Sequence, residues 1–152
     1  MLKKGDEAPA FELQDQNGGV VRLSDFRGRK VLIYFFPKAN TPGCTIQAES
    51  VRDAVPHLDS LKVAAVGVSP DPVQLQKRFD DKYRLEFPLL SDTDHAVADH
   101  YGVWQEKTLY GKRSWGIVRS SFLVDENGKI LGAWYKVKPE ETVPLALGSL
   151  KA

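Results

Sequence analysis

Lys30-Val31-Leu32-Ile33-Tyr34-Phe35-Phe36-Pro37-Lys38-Ala39-Asn40-Thr41-Pro42-Gly43-Cys44-Thr45 carries a strand, a turn and the start of a helix in one stretch. Val31 to Phe36 is unbroken apolar sequence, short enough for one strand and too evenly apolar for a strand with a wet face. It reads as a buried central strand. Thr41 is placed as a helix N-cap, Pro42 as the first helical position and Cys44 as the third. Beyond it, Cys44, Ala48, Val51, Val55 and Leu58 recur at steps of four and three, which makes one inward-facing stripe with the thiol at its N-terminal end. Pro56 removes a backbone N–H and crowds the turn before it, so a kink or a second helical piece is expected there.

Outward from this stretch, Phe11 to Gln14 and Val20 to Leu23, parted by Asp15-Gln16-Asn17-Gly18-Gly19, predict a hairpin. Ser24 is placed to cap a short helical turn through Phe26 that Gly28 closes. Val63 to Ser69 reads as a second buried strand, and Pro72 opens a helix to about Tyr83. Leu89-Leu90 is a short strand, and Asp92 and Asp94 are turn and cap residues before a helix from His95 to Tyr101. Residues 105–117 lack periodicity and read as a long loop with Lys107, Lys112 and Arg113 solvated. Trp104, Leu109, Tyr110 and Trp115 either line the mouth of a pocket or pack that loop down. Ser120 to Val124 and Lys129 to Tyr135 are strands joined at Asp125-Glu126-Asn127-Gly128, and Glu140 to Leu150 is a closing helix. No repeat or linker interrupts residues 1–152, so a single domain is expected. The pattern predicts an α/β layer fold with a mixed central sheet flanked by helices, although periodicity alone does not separate it from other doubly wound sheets.

The 152 residues carry a formal charge of +1, with 42% hydrophobic and 27% charged side chains. That balance gives no electrostatic reason to bind nucleic acid or an anionic membrane. No apolar run approaches the roughly 20 residues of a membrane span. Met1-Leu2-Lys3-Lys4-Gly5-Asp6-Glu7 lacks the apolar core of a signal peptide. Cys44 is the only cysteine, which excludes an internal disulfide and Cys-x-x-Cys chemistry and favours a cytoplasmic setting. His57 stands alone, His95 and His100 do not share a helix face, and no glycine loop is built to cradle phosphate, so neither a metal nor a cofactor is expected.

A lone cysteine is commonly a small buried hydrophobe. The first turn of a helix changes that reading, because unpaired backbone N–H groups and the positive end of the helix dipole point at the sulfur. Sites of this kind lower a thiol pKa from about 8.5 to roughly 3.5–7.5 and make the group a nucleophile at neutral pH.

Pro37-x-x-x-Thr41-x-x-Cys44 resembles the active-site loop of peroxiredoxins, the thiol peroxidases, and Thr41-Pro42-Gly43-Cys44-Thr45 is similar to their bacterioferritin-comigratory or peroxiredoxin Q branch. Three further stretches extend the likeness over nearly the whole chain. They are Tyr110-Gly111-Lys112 with Gly116-Ile117-Val118-Arg119-Ser120-Ser121-Phe122-Leu123-Val124-Asp125, the opening Gly5-Asp6-x-Ala8-Pro9-x-Phe11, and Phe87-Pro88-Leu89-Leu90-Ser91-Asp92. The resemblance implies a thioredoxin-like fold with an N-terminal β-hairpin extension. It also implies reduction of hydrogen peroxide and organic hydroperoxides through a Cys44 sulfenic acid. Carried over residue by residue, Cys44 is the nucleophile, and Arg119 enters from a strand to favour the thiolate and hold the peroxide oxygens. Thr41 contacts sulfur or peroxide oxygen through its hydroxyl, and Pro37 shapes the loop and shields the thiolate. The N–H groups of Gly43 and Cys44 complete an anion-binding turn. Gln47 stands where many peroxiredoxins place a carboxylate against the arginine, and its amide can accept a hydrogen bond there without the charge.

This chain departs from the branch in its second thiol. The two usual resolving positions hold Glu49 and Asp80, and neither can form a disulfide. A one-cysteine cycle is therefore expected, resolved by an external thiol from thioredoxin or from glutaredoxin with glutathione, in a monomer. Two other classes remain open: a peroxide-responsive sensor or adaptor with little turnover, and a binding module with an inert Cys44.

Overall fold

The computed structural model describes residues 1–151, and within them everything but the Leu109 side chain. β3 (Lys30–Phe35) lies near the middle of a seven-stranded sheet. It runs parallel to β4 (Val63–Ser69), which runs parallel to β5 (Leu89–Ser91). On its other side it pairs antiparallel with β8 (Ser120–Val124), which pairs with β9 (Ile130–Trp134). The N-terminal hairpin of β1 (Glu12–Gln14) and β2 (Val20–Arg22) extends the far edge, through Gln14 opposite Ser91. The sheet is mixed, as the pattern predicts.

Alternation along β3 sends its side chains to two cores. Val31, Ile33 and Phe35 meet Phe11, Tyr101, Val103 and Phe122 on one face. Leu32, Tyr34 and Phe36 meet Cys44, Ala48, Val51 and Leu58 on the other. That second face is covered by α1 (Pro42–Ser60), α2 (Val73–Tyr83) and α4 (Thr142–Leu150), while α3 (Ala96–His100) lies against the first. Both faces of β3 are dry, which explains its continuous apolar sequence.

Several expectations are corrected. α1 runs from Pro42 to Ser60 as one helix, so Pro56 does not start a second helical piece. Ser24 lies inside the short 3-10 turn Leu23–Phe26, and the carboxylate that closes its start is Asp25, accepting from the Arg22 N–H at 2.9 Å. Glu140 belongs to a 3-10 turn, Pro139–Glu141, ahead of α4. The largest difference is at 105–117. These residues form a two-stranded ribbon, β6 (Trp104–Leu109) with β7 (Lys112–Ile117), separate from the main sheet. Lys112, Arg113, Ser114 and Trp115 are all exposed, so the ribbon carries no apolar alternation to read.

Candidate active site

The chain leaves β3 through buried Phe36 and half-buried Pro37 and enters α1 at Pro42. Between them the turn is pinned from beneath by Asp71, a buried carboxylate just after β4. It accepts the Ala39 N–H at 2.7 Å and the Ser69 hydroxyl at 2.7 Å. Buried Gln76 of α2 donates to the same Ser69 oxygen at 2.8 Å and to the Leu90 carbonyl at 3.0 Å, so the turn is fixed to β4, β5 and α2 together. Thr41 takes the N-cap backbone conformation, φ −90° and ψ 157°, and its carbonyl accepts both the N–H and the hydroxyl of Thr45 at 2.8 Å. Its own hydroxyl does not cap the helix. It donates to the Lys38 carbonyl at 2.8 Å, which leaves the oxygen's lone pairs free.

Cys44 is 1% exposed, at the head of the inner stripe of α1. Gln47, one turn on, is fully buried. Its side-chain oxygen accepts from Arg119 Nη1 at 2.6 Å, and its amide nitrogen donates to the Thr142 hydroxyl of α4 at 2.8 Å. Arg119 lies in the two-residue link between β7 and β8, one position before the strand. Its guanidinium rests on the first turn of α1, where a Cβ on Gly43 would come within 3.1 Å of Nη2 and 3.4 Å of Pro139 Cγ. A side chain at this position would press on the guanidinium, so glycine lets the cation lie close to the helix start. Among the described residues no carboxylate pairs with Arg119. The structure thus gathers Cys44, Gly43, Gln47 and Arg119, with Thr41 and Pro37 on the adjoining turn.

Two more groups feel these charges. Tyr34 of β3 is fully buried with no partner for its hydroxyl, and its pKa is raised well above 10.0. Burial is the main cause; the Cys44 charge adds to it and Arg119 opposes it. Gly67 on β4 makes room for the phenol, since a Cβ there would sit 2.8 Å from Tyr34 Cζ. Lys107 of β6 has its pKa lowered, by burial first and by Arg119 second, with Cys44 acting the other way.

Sequence reasoning missed Thr142, Asp71 and Lys107, each of which reaches the site from a distant element. Lys107 is half-buried and its ammonium donates to the Ile117 carbonyl, so it is not solvated as expected; Lys112 and Arg113 are exposed. Trp104 stacks on His95 at 3.9 Å, and with Trp115 it lines a groove of about 550 Å³ beside α3. Tyr110 is 95% exposed at the ribbon tip, and the Leu109 side chain lies outside the described residues. Asp92 and Asp94 are caps, accepting from Val97, Ala98 and Ala96. At the two resolving positions, Glu49 pairs with Arg52 at 3.6 Å, and Asp80 accepts from Gln16 and from the Glu86 N–H. Among the described residues no helix is long and apolar enough to cross a membrane.

The AhpC/TSA family model matches residues 4–133. Peroxiredoxin Bcp of Escherichia coli strain K12 is 51% identical over 129 residues, 85% of this chain and 83% of its own. A cysteine-to-serine mutant of peroxiredoxin Q from Xanthomonas campestris superposes with a TM-score of 0.91 at 35% identity, covering 99% of this chain and 98% of that one. The bacterioferritin comigratory protein of the same organism, solved in a study of its alkyl peroxide reduction activity, gives a TM-score of 0.88 at 35% identity over 93% and 90% of the two chains. The mixed sheet with its flanking helices is therefore the thioredoxin-like fold that the motifs imply. The chain belongs to the AhpC/TSA family, in its Bcp/peroxiredoxin Q branch, and is a thiol peroxidase that acts on peroxide with a thiol reductant.

Proposed function

We propose that Cys44 is the peroxidatic thiol of a one-cysteine cycle, acting on hydrogen peroxide and organic hydroperoxides. The observation that carries this reading is Arg119, laid on the first turn of α1 beside Cys44 with its charge uncompensated by any described carboxylate. The Cys44 thiolate attacks one peroxide oxygen and forms the S–O bond as the O–O bond breaks. The electron pair leaves on the other oxygen, which takes a proton to become water or an alcohol, and sulfur is left as sulfenic acid. Arg119 and the Gly43 and Cys44 N–H groups face the negative charge, first on sulfur and then on the departing oxygen. The Thr41 oxygen, its hydrogen engaged by the Lys38 carbonyl, accepts the hydrogen bond of the incoming hydroperoxide. Pro37 walls the turn without offering a polar atom.

Gln47 keeps Arg119 in place as an acceptor but leaves the cation unneutralised, so the missing carboxylate strengthens the field at sulfur. Alkyl peroxides fit the reading, since reduction of this class is named for the X. campestris relative. With one cysteine in the sequence, the sulfenic acid is captured by an external thiol. That thiol forms a mixed disulfide and releases water, and a second thiol restores Cys44. Thioredoxin or glutathione with glutaredoxin supplies these equivalents, and the protein works as a monomer of one domain in the cytoplasm.

Intact mass after one equivalent of peroxide tests the cycle. A small-thiol adduct on Cys44 with thiol present, and added oxygens without it, are expected, with no peroxide consumption by Cys44→Ser. A predominant disulfide dimer turning over at full rate would show that the resolving thiol comes from a second copy. Sulfenic acid that forms while no thiol donor supports turnover would favour a sensor.

A further inference from the structure

After β9 the chain returns to the first turns of α1 through residues 137–142 and meets Arg119 in three ways. The Arg119 carbonyl accepts the Val137 N–H at 2.9 Å, which ties its backbone down. A single carbon added to Gly43 would stand 3.1 Å from the guanidinium and 3.4 Å from the Pro139 ring, so both lie against the same turn of α1. The third link passes through Gln47, the one side chain among the described residues that accepts from the guanidinium, at 2.6 Å. A guanidinium carries donors only, so the amide atom that faces it is the oxygen. The amide nitrogen is then turned the other way, into a core where Gln47 is fully buried. Its acceptor there is the hydroxyl of Thr142 at 2.8 Å, itself fully buried at the start of α4. Packing alone does not call for a hydroxyl at this position. Valine has nearly the same shape, and a buried hydroxyl costs free energy unless it is bonded.

We propose that Thr142 is a positioning residue of the peroxide reaction, whose hydroxyl holds the Gln47 amide with its oxygen toward Arg119 and so fixes the guanidinium at the reacting oxygens. The proposal rests on Cys44 and Arg119 having the roles given to them above. Thr142 acts through Gln47 and Arg119, not on the peroxide. Without its oxygen the buried amide nitrogen has lost its acceptor, and the amide gains by turning toward another partner. The guanidinium then loses the acceptor that orders it, and a long side chain with many rotamers is set free. The last helix of the chain thereby completes a site whose other parts come from the turn before α1, from α1 itself and from the link before β8.

Thr142→Val removes the oxygen and keeps the shape, Thr142→Ala removes it together with the branch, and Thr142→Ser keeps it. Single-turnover oxidation of Cys44 by hydrogen peroxide reads all three, each made in the wild-type chain and in Arg119→Ala. In the wild-type chain the Val and Ala variants are expected to react about tenfold more slowly, the scale of one buried hydrogen bond lost. Thr142→Ser should react as wild type does. In Arg119→Ala the same substitutions should cost nothing further, because the group they position has gone. Wild-type rates in Thr142→Val and Thr142→Ala would overturn the proposal. So would a loss of the same size in the Arg119→Ala chain, since Thr142 would then serve the fold and not the arginine. Failure of the parent reading looks different: Arg119→Ala alone would keep the wild-type rate, or Cys44→Ser would still consume peroxide.

Discussion

At the scale of residues, the sequence made Cys44 legible because its context is local. The Thr41 and Pro42 cap signals and the helical stripe lie within a few positions of it; the structure keeps the positions of both and the stripe, while the Thr41 hydroxyl turns to Lys38 instead of the helix. Gln47 was harder to read. In isolation it is a carboxylate lost, yet in the fold it joins Arg119 to Thr142 and leaves the guanidinium its full charge. Two substitutions separate these effects. Arg119→Ala should slow reaction with peroxide by roughly a hundred- to a thousandfold, the usual cost of losing a preorganised donor. Gln47→Glu should also slow it, despite restoring the commoner carboxylate, because the new charge neutralises the arginine. Stopped-flow single turnovers measure both, and an unchanged rate in Arg119→Ala would put that side chain outside the chemistry.

At the scale of elements, the regular strands and helices were readable because burial imposes a period on them. The ribbon at 105–117 was not, since it packs against the body mainly near its base, at Trp104 and Ile117, and its outer half is wet. Its lack of period hid both the strands and the inward turn of Lys107. Asp71 was invisible for another reason. Nothing in Ser69-Pro70-Asp71-Pro72 announces that its carboxylate holds the turn ahead of α1 from 32 residues away. Asp71→Ala leaves the Ala39 N–H and the Ser69 hydroxyl without their charged acceptor, so a loss of about 2 kcal/mol is expected. Peroxide reaction should fall with it, because the turn carrying Pro37 and Thr41 is loosened. Urea unfolding and single-turnover rates on the same sample check the pair, and a rate unchanged beside a lower stability would separate the turn from catalysis.

For the whole molecule, the two dry faces of β3 set the response to alkali. Burial raises the pKa of Tyr34 and of Tyr101, and burial with the nearby Asp6 charge raises that of Tyr135 against the opposing Leu2 N–H. A phenol that holds its proton more tightly in the folded chain contributes stability that is complete below pH about 10 and is lost as pH climbs past it. Thermal midpoints should therefore fall steeply above that pH. Tyrosinate absorbance from these three should appear with unfolding rather than ahead of it. Early, graded ionisation of all three in the native state would contradict the burial.

The Thr142–Gln47–Arg119 chain also has a consequence in time. Gln47 and Thr142 are 95 residues apart, and a ribosome adding about 5–20 residues per second leaves an interval of roughly 5–20 s between them. During that interval Cys44 has been made while the hydroxyl that steadies its arginine has not. On the role proposed for Cys44, full reactivity toward peroxide is expected only once the last helix has docked and Gln47 has its Thr142 partner.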